Sequence, residues 1–381
     1  MIYFDNGATS FPKPPSVTSE VMRCMTEYGG NPGRSGHRLS MEAAESVFKC
    51  RELICDLFGG TDLSRVFFGM NTTCVLNTVI KGCIKDGDHV LISDLEHNSV
   101  YRPIYKLASQ GKITYSVFST VSNGKRRSDV EILGGIEELI RKETKMLVCA
   151  ISSNICSITL PIEKIGALCR RKNIIFVVDG AQGAGHEHID VQKMNIDALC
   201  IPAHKGLYGP QGCGFGLLGD RILPDTLMEG GNGADSLLGE MSEELPERLE
   251  VGTLPTPAIA GLIKGIEYVK KRGIDSIAEK EKALFRRGRE HIGNIRGTRI
   301  YLPENDGAVL LFNVEGMHSE QVAAELDKRG ICVRGGYHCT ALGHRTLGTE
   351  EIGGVRVSFG SFNTPKEVDI LTAAVREIAK K

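Results

Sequence analysis

Short apolar runs alternate with longer amphipathic stretches between about residues 65 and 218. Nearly every position within a run is apolar, and polar side chains do not alternate with apolar ones. The runs lie at residues 65–68, 89–92, 146–150, 174–178 and 198–201. Strands that are buried on both faces have this pattern, and helical crossovers join parallel strands. The sequence therefore predicts an α/β domain built on a mostly parallel sheet.

Polar residues and glycines cluster directly after these apolar runs. The clusters lie at residues 69–73, 94–97, 152–154, 179–182 and 204–205. In open α/β sheets, ligands bind in the crevice at the carboxyl ends of the strands. We therefore expect the five clusters to meet in one binding site.

The pattern changes after about Glu250, where longer and more charged amphipathic stretches begin. Helices are predicted at residues 258–271, 277–292 and 319–329, and strands at 308–314, 331–334 and 355–359. Thr364 and Glu367 have the spacing of a capping box around Pro365, so a last helix begins there. These elements predict a second, smaller α+β domain in the C-terminal part of the chain.

Charge and composition exclude several classes of partner. The 381 residues include 46 Lys and Arg against 47 Asp and Glu, and no long run of one sign occurs. Such a balance lacks the positive surface that nucleic acids and anionic membranes attract. No apolar stretch approaches the roughly 18 residues that span a bilayer, and the first residues lack the features of a signal peptide. We expect a cytoplasmic protein that binds neither nucleic acid nor membrane.

The twelve cysteines do not have the spacing of a metal or redox site. None occurs as C-x-x-C, and the pairs Cys50 with Cys55 and Cys149 with Cys156 match no zinc or dithiol motif. In a reducing cytoplasm we expect no disulfides, and most of these side chains are expected in the core. The sequence therefore predicts no bound metal, and a reactive cysteine has to be identified by its surroundings.

Asp179 and Lys205 are the first pair of candidate functional residues. Asp179 follows five apolar residues, where an ionised carboxylate is costly unless it faces a cation. Lys205 ends another apolar run and is followed by glycines that let a ligand approach, which suits a Schiff base. Alone, Asp179 is more often a helix N-cap and Lys205 a solvated lysine. Together they match the pair that pyridoxal phosphate requires.

Thr72 and Thr73 follow a predicted strand and open the helical stretch that continues from Cys74. The hydroxyls and amides of such residues bind a phosphate at a helix N-terminus. A plain helix N-cap is an equally good interpretation of either threonine alone.

Short motifs along nearly the whole chain resemble, in order, those of one enzyme family. They lie at residues 3–8, 33–40, 71–73, 96–97, 153–154, 179–182, 204–205, 208–210, 252–253, 334–339, 356 and 363–364. The chain resembles the pyridoxal phosphate-dependent cysteine desulfurases of the class V aminotransferase superfamily, in particular their SufS-like group.

The resemblance implies the aspartate aminotransferase-like fold of pyridoxal phosphate enzymes, fold type I. This fold has a large domain with a mostly parallel sheet and a smaller α+β domain. Residues 15–255 are expected in the large domain, residues 1–14 and 256–381 in the small domain, and residues 335–348 in the loop of a catalytic cysteine.

The resemblance also implies which residues hold the coenzyme. They are Lys205 in the covalent bond, Asp179 at the pyridine nitrogen, Gln182 at the ring hydroxyl, His97 stacked on the ring, Asn154 beside the ring hydroxyl, and Thr72, Thr73 and His204 at the phosphate. Thr253 is implied to reach the phosphate of the neighbouring subunit, which implies a homodimer. One phosphate ligand stays open, because Pro202 and Ala203 stand where relatives carry serine or glycine, and Gly206 resembles an insertion.

Cys339 distinguishes a desulfurase from other members of the superfamily. It lies in a glycine-rich loop beside Arg334, Tyr337 and His338, and a nearby positive group favours a thiolate. Burial is the better interpretation of the other eleven cysteines. By resemblance, Cys339, Lys205 and His97 are catalytic. The residues implied to bind substrate are Arg356, Asn154, Arg334, Arg34 and His37.

The reaction implied by the resemblance converts L-cysteine to L-alanine and leaves the sulfur as a persulfide on Cys339. An acceptor protein then takes the sulfur, and it is left open whether this is an iron–sulfur scaffold, a tRNA-thiolation protein or a dedicated carrier. Three alternatives also stay open. They are a selenocysteine lyase, another class V aminotransferase or lyase, and a non-catalytic coenzyme-binding protein of a sulfur relay.

Overall fold

The computed structural model of the protein describes residues 1–33, 35–305 and 307–380. Within these ranges the strands are β1 (Ile2–Tyr3), β2 (Val66–Gly69), β3 (His89–Ser93), β4 (Thr114–Phe118), β5 (Val121–Ser122), β6 (Lys125–Arg126), β7 (Thr144–Ala150), β8 (Ile175–Asp179), β9 (Ala198–Pro202), β10 (Gly214–Leu218), β11 (Thr298–Ile300), β12 (Val309–Val314), β13 (Ile331–Cys332) and β14 (Val355–Ser358). The α-helices are α1 (Pro15–Arg23), α2 (Arg38–Phe58), α3 (Thr72–Cys83), α4 (Asn98–Ser109), α5 (Asp129–Leu139), α6 (Ile162–Lys172), α7 (Thr256–Arg272), α8 (Ile274–Gly293), α9 (Ser319–Asp327), α10 (Ala341–Leu347) and α11 (Pro365–Ile378).

Among the described residues, seven strands form the central sheet, in the order β2-β10-β9-β8-β7-β3-β4. Strand β10 runs antiparallel to both of its neighbours, and the other pairs are parallel. Asp179 pairs with Ala150 on one side and Cys200 on the other, so β7, β8 and β9 end at one edge. The predicted α/β fold with a mostly parallel sheet is confirmed.

Helices cover both faces of this sheet, so each strand contributes to two apolar cores. On β3, Leu91 packs into the core that includes residues of α2, α5, α6 and α7. Its neighbours Val90 and Ile92 pack into the opposite core, with residues of α3 and α4. Every position of such a strand is buried, which explains why these strands have unbroken apolar sequences.

Two strands of the sheet lack an apolar run. Strand β4 lies at the edge of the sheet, and several of its side chains reach solvent. Strand β10 is interrupted by glycines, and a Cβ added to Gly216 would lie 2.3 Å from the ring of Phe67. Both sequences depend on tertiary neighbours, so the apolar pattern alone did not identify them.

The C-terminal part of the chain forms a smaller α+β unit. Strands β11, β12 and β14 form an antiparallel sheet, and apolar residues of α8, α9 and α11 share its core. Helix α11 has the predicted capping box between Thr364 and Glu367. Strand β1 pairs with β13, and Phe4 lies in the same core, so the N-terminal residues join this unit.

Helix α7 packs on the large sheet. Its buried residues Ile259, Leu262 and Ile266 belong to a core of that sheet, and the helix contacts α1 and α2. The division of the chain at residues 255 and 256 stays a prediction, and this packing favours a boundary near Gly273, between α7 and α8. Within the predicted loop 335–348, the second half forms helix α10.

Candidate active site

A cavity of about 230 Å³ opens at the carboxyl edge of the central sheet. All five of the polar clusters that follow the apolar runs contribute to its lining, as expected for an open α/β sheet. The cavity brings together ten of the residues that the sequence singled out. They are Thr72, Thr73, His97, Asn154, Asp179, Gln182, His204, Lys205, Arg334 and Arg356.

Asp179 and Lys205 place an acidic and a basic group in this cavity. Asp179 is 4% exposed, and its Oδ1 accepts a hydrogen bond from the N–H of Ala181 at 2.9 Å. Burial raises the pKa of this carboxyl, and the charge of Lys205 opposes the rise. Burial also lowers the pKa of Lys205 to about 8, with Asp179 opposing the change. Lys205 therefore offers a free amine near neutral pH far more readily than a solvated lysine.

His97 is the N-cap of α4, which fixes its ring and its tautomer. The Nδ1 atom accepts a hydrogen bond from the N–H of Ser99 at 3.1 Å, so the proton of the neutral ring is on Nε2. Burial, together with the positive charges of Lys205 and Arg334, lowers the pKa of His97 to about 4. The ring is therefore neutral at pH 7.

The N-terminus of α3 meets the cavity at Asn71, Thr72 and Thr73. Asn71 is the N-cap, and its Oδ1 accepts from the N–H of Cys74 at 2.9 Å. The hydroxyl of Thr73 is 2.7 Å from that of Ser99. Asn71 lies in one of the motifs of the resemblance, but neither it nor Ser99 was assigned a role from the sequence, although an Asn before the first helical residue is a common N-cap signal.

Arg356 is almost completely buried, and its guanidinium is held by two partners. Its Nη2 donates to Asp5 Oδ1 at 2.6 Å, and its Nη1 donates to the carbonyl of Asn154 at 3.2 Å. The role of Asp5 was not predicted from the sequence. A buried arginine requires a carboxylate partner, but nothing in the sequence shows which of the 47 acidic residues supplies it.

The segment after β1 closes one side of the cavity. Gln182 Nε2 donates to the carbonyl of Gly7 at 2.8 Å. The carbonyl of His204 accepts from the N–H and the hydroxyl of Ser10, each at 3.1 Å, and from Lys13 Nζ at 2.8 Å. The N-terminal segment therefore orients the peptide that directly precedes Lys205.

Cys339 lies beside the cavity in a loop bonded to the segment that carries His97. It is exposed, and Arg334 Nη2 lies 3.8 Å from its sulfur. The carbonyl of Cys339 accepts from the N–H of Asn98 at 2.7 Å, and the hydroxyl of Thr340 donates to the carbonyl of Glu96 at 2.9 Å. The thiol is therefore reachable from solvent while its backbone is fixed to the cavity wall.

Besides Cys339, two of the predicted residues that the structure describes lie outside the cavity lining. His37 is the exposed N-cap of α2, where Nδ1 accepts from the N–H of Ser40 at 3.2 Å. Thr253 is exposed and lies outside the cavity lining. Arg34 lies outside the described residues. The roles that the resemblance implies for these three residues stay predictions.

Within residues 1–33, 35–305 and 307–380, no group of three or more His, Cys, Asp or Glu side chains is arranged to hold a metal ion. All twelve cysteines lie in these ranges as free thiols, and Cys339 is the exposed one. None of the helices described there is long and apolar enough to cross a membrane.

The lining of the cavity fits pyridoxal phosphate. Thr72 Oγ1 and His204 Nδ1 are buried, and neither has a hydrogen-bond partner among the described residues. Buried polar atoms are nearly always paired, so these two atoms and the N-terminus of α3 suit an anion such as a phosphate. The buried carboxylate of Asp179 suits a protonated ring nitrogen. Lys205, in the same cavity, offers the amine that an aldehyde requires.

The chain matches known proteins over most of its length. Residues 2–371 match the profile of the family described as aminotransferase class V. A relative named probable cysteine desulfurase from Pyrococcus abyssi is 31% identical, over 100% of this chain and 94% of the relative. A cysteine desulfurase from Wigglesworthia glossinidia brevipalpis is 32% identical over 89% of this chain and 84% of its own.

A solved structure supports the same relationship. The apo structure of a cysteine desulfurase from Thermococcus onnurineus superposes with a TM-score of 0.90 at 30% identity, and the match covers 100% of this chain and 94% of that one. The fold type I architecture with a large sheet domain is therefore confirmed. The chain belongs to the class V aminotransferase family, alongside relatives named cysteine desulfurases.

Proposed function

We propose that this protein is a cysteine desulfurase, which converts L-cysteine to L-alanine and keeps the sulfur as a persulfide on Cys339. One observation carries the proposal: an exposed thiol with an arginine 3.8 Å from its sulfur stands beside a cavity that contains Lys205 and Asp179. A transaminase has no use for a nucleophilic thiol at that position. Relatives named cysteine desulfurases support the same reaction.

We propose pyridoxal phosphate as the coenzyme. Asp179 would pair with its ring nitrogen and Lys205 would bond it covalently. The remaining contacts would come from Gln182, His97, Asn154, Thr72, Thr73 and His204. When bound, the coenzyme supplies an electron sink for the negative charge that develops at the substrate Cα.

Residues of the protein itself would bind the substrate, remove its Cα proton and stack on the coenzyme. Arg356 would bind the substrate carboxylate, because its guanidinium is already oriented by Asp5 and Asn154. The amine of Lys205, whose pKa burial lowers to about 8, would remove the proton from Cα. The neutral ring of His97 would stack on the coenzyme and carry its proton on Nε2.

Cys339 would be the nucleophile of the sulfur transfer. Its thiolate would attack the substrate sulfur, forming a sulfur–sulfur bond while the bond between that sulfur and Cβ breaks. The electron pair of the broken bond stays with the carbon fragment, which takes up protons and leaves as alanine. The cysteine thiol and the substrate together supply all atoms of the persulfide and alanine, so no external oxidant is needed.

The proposed reaction predicts its own products. Purified protein that has been loaded with pyridoxal phosphate should form alanine and sulfide in equal amounts when it receives L-cysteine and an excess of a dithiol. Amino-acid analysis and a sulfide assay measure the two products. Formation of pyruvate, or turnover that requires a keto acid, would contradict the proposal and favour another class V lyase or an aminotransferase.

We further propose that the protein is a homodimer in which Thr253 contacts the phosphate of the neighbouring subunit. Thr253 is exposed and away from this chain's own cavity. The segment before it is held by Glu250, which is 6% exposed and accepts from Arg51 Nη2 at 2.7 Å. Large apolar side chains nearby along the chain, Leu237 and Leu238, are exposed in the single chain.

Sedimentation should therefore give a dimer, and Thr253→Ala should weaken the retention of pyridoxal phosphate by about tenfold, the loss expected for one hydrogen bond to a charged group. Thr253→Ser keeps the hydroxyl and should retain the coenzyme like the wild type. A fully active monomer would contradict the dimer.

We propose a protein thiol as the sulfur acceptor, because Cys339 is exposed and can be approached from solvent. Twelve free thiols are consistent with a reducing compartment, so we propose a cytoplasmic location.

A further inference from the structure

Two buried histidines lie close to Cys339: His338 in the turn that carries it and His344 in helix α10. His338 is 2% exposed and His344 is 1% exposed. The planes of their rings are nearly parallel, inclined by 16°, and the ring centroids are 5.5 Å apart. His338 Nδ1 and His344 Nε2 are 3.3 Å apart. The reaction described above uses neither ring.

The hydrogen-bond partners of the two rings indicate which nitrogen of each ring carries the proton. His338 Nε2 is 3.0 Å from the carbonyl of Arg334, and because a carbonyl can only accept, this nitrogen carries the proton. His338 Nδ1 of the neutral ring is then an acceptor, so His344 Nε2 donates to it.

The second nitrogen of His344 contacts Thr349. With its proton on Nε2, His344 has Nδ1 free to accept, and the hydroxyl of Thr349 lies 2.6 Å from that atom. Thr349 is completely buried. The carbonyl of Arg334 therefore sets the tautomer of His338 and, through the bond between the rings, that of His344, and the hydroxyl of Thr349 is hydrogen-bonded to the remaining nitrogen.

Burial disfavours the charged form of both rings. Burial, followed by the charge of Arg356, lowers the pKa of His338 to about 3. Burial also lowers the pKa of His344, and the carbonyls of Tyr337 and Thr349 oppose that change. A proton added to His338 Nδ1 would point at the N–H of His344, so protonation would break the link between the rings.

The turn formed by His338 and Cys339 has an unfavourable backbone conformation. His338 has a φ of 50° and Cys339 a φ of 56°, which are left-handed values in two consecutive residues that are not glycine. Such conformations persist only where surrounding contacts hold them. The carbonyl of His338 accepts from Asn154 Nδ2 at 2.7 Å, and the side chain is held by His344.

We propose that His344 is a positioning residue for Cys339. Through His338 it keeps the left-handed turn that presents the thiol beside Arg334 and the cavity, and the hydrogen bond from the hydroxyl of Thr349 holds the ring of His344 in place. The consequence for the reaction rests on the proposed role of Cys339 as the nucleophile. His344 itself is not among the residues that line the cavity.

Position 349 offers the most conservative test. Thr349→Val removes the hydroxyl and keeps the shape, whereas Thr349→Ser keeps the hydroxyl. In the coenzyme-loaded enzyme, Thr349→Val should lower kcat for alanine formation severalfold and leave KM for cysteine unchanged, because Arg356 and Lys205 are not disturbed. Thr349→Ser should behave like the wild type.

Position 344 should show the larger effect. His344→Phe keeps an aromatic ring against His338 but removes both nitrogens, and it should lower kcat by about tenfold to a hundredfold, the cost of a nucleophile displaced by about 1 Å. His344→Gln should recover much of the rate, since an amide can donate to His338 and accept from Thr349. His188→Gln, at an exposed histidine paired with Asp275, is the matched control and should not change kcat.

Two measurements without substrate separate this inference from the proposed function. In 15N-histidine-labelled enzyme, both rings should carry their proton on Nε2, and His338 should not titrate between pH 6 and 8. Amide exchange at Asn98, which donates to the carbonyl of Cys339, should accelerate in Thr349→Val but not in Thr349→Ser.

A proton on Nδ1 of His338, or unchanged kcat and exchange in both His344→Phe and Thr349→Val, would overturn the inference. If cysteine were not a substrate, the tautomers and the exchange rates would still decide it. If His344→Phe failed to fold, the kcat values and exchange rates of the two Thr349 variants would still test the inference.

Discussion

Lys205→Ala is expected to abolish both the covalent attachment of pyridoxal phosphate and the formation of alanine, the latter by at least about a thousandfold. Two roles are lost together, because the same amine would bond the coenzyme and move the Cα proton. Its burial beside Asp179 brings its pKa to about 8, which makes the free amine accessible near neutral pH. Borohydride reduction of the wild-type protein followed by peptide mapping should place the coenzyme on Lys205, and the variant should carry no label.

Lys13 provides a matched control for this experiment. Burial lowers its pKa to about 8 as well. Its Nζ donates to Ser10 Oγ and to the carbonyl of His204, both at 2.8 Å, so this ammonium is already used within the protein. Lys13→Met should therefore keep the coenzyme on Lys205. A label on Lys13, or on any other lysine, would show that the assignment of Lys205 is wrong.

The parts of the fold that the sequence predicted are those whose burial leaves a local pattern. Strand β3 is buried on both faces, so Val90, Leu91 and Ile92 all had to be apolar. Strand β10 is equally buried, but it contains glycines because the ring of Phe67 lies against Gly216. That contact joins residues about 150 positions apart and has no counterpart in the local sequence.

The same distinction applies to the candidate site. Lys205 and Asp179 follow strands of a parallel sheet, so topology alone brings them to one edge. Asp5 meets Arg356 across 351 positions of the chain, and no spacing rule connects them. The hydrogen-bonded group of His338, His344 and Thr349 was not predicted from the sequence for a related reason. It spans a turn and the short helix α10, and neither produces a helical or strand periodicity.

Cys339 and His97 are held by one segment of backbone. The backbone from Asp94 to Asn98 carries His97 and also bonds the Cys339 turn and the helix that follows it. Asn98 bonds the carbonyl of Cys339, Glu96 bonds Thr340, and Asp94 bonds Thr346 of α10. The nucleophile and the ring that would stack on the coenzyme therefore keep a fixed relation to each other. A fixed relation of this kind is what a transfer between two sulfur atoms requires.

Two other cysteines, Cys332 and Cys74, serve as controls for the replacement of Cys339 by alanine. Cys332 lies in β13, and Cys74 lies in the first turn of α3 beside the cavity; both are partly exposed. Neither has a place in the proposed reaction. Cys332→Ala and Cys74→Ala should therefore retain desulfurase activity, with some loss of stability at most. A persulfide found on either residue by mass spectrometry would show that the assignment of Cys339 is wrong.

Cys339→Ala is expected to lower alanine formation from cysteine by at least about a hundredfold while cysteine still binds. The steps before sulfur transfer belong to Lys205, Asp179 and Arg356, so adding cysteine should still change the visible absorption of the bound coenzyme. Selenocysteine provides the discriminating comparison, because a selenol is more acidic and a better leaving group and depends less on a nucleophile. If the variant lost cysteine turnover but kept selenocysteine turnover, Cys339 would be the nucleophile specific to sulfur. If cysteine turnover stayed at the wild-type level, the desulfurase mechanism would be wrong, and a selenocysteine lyase or an aminotransferase would account better for the same site.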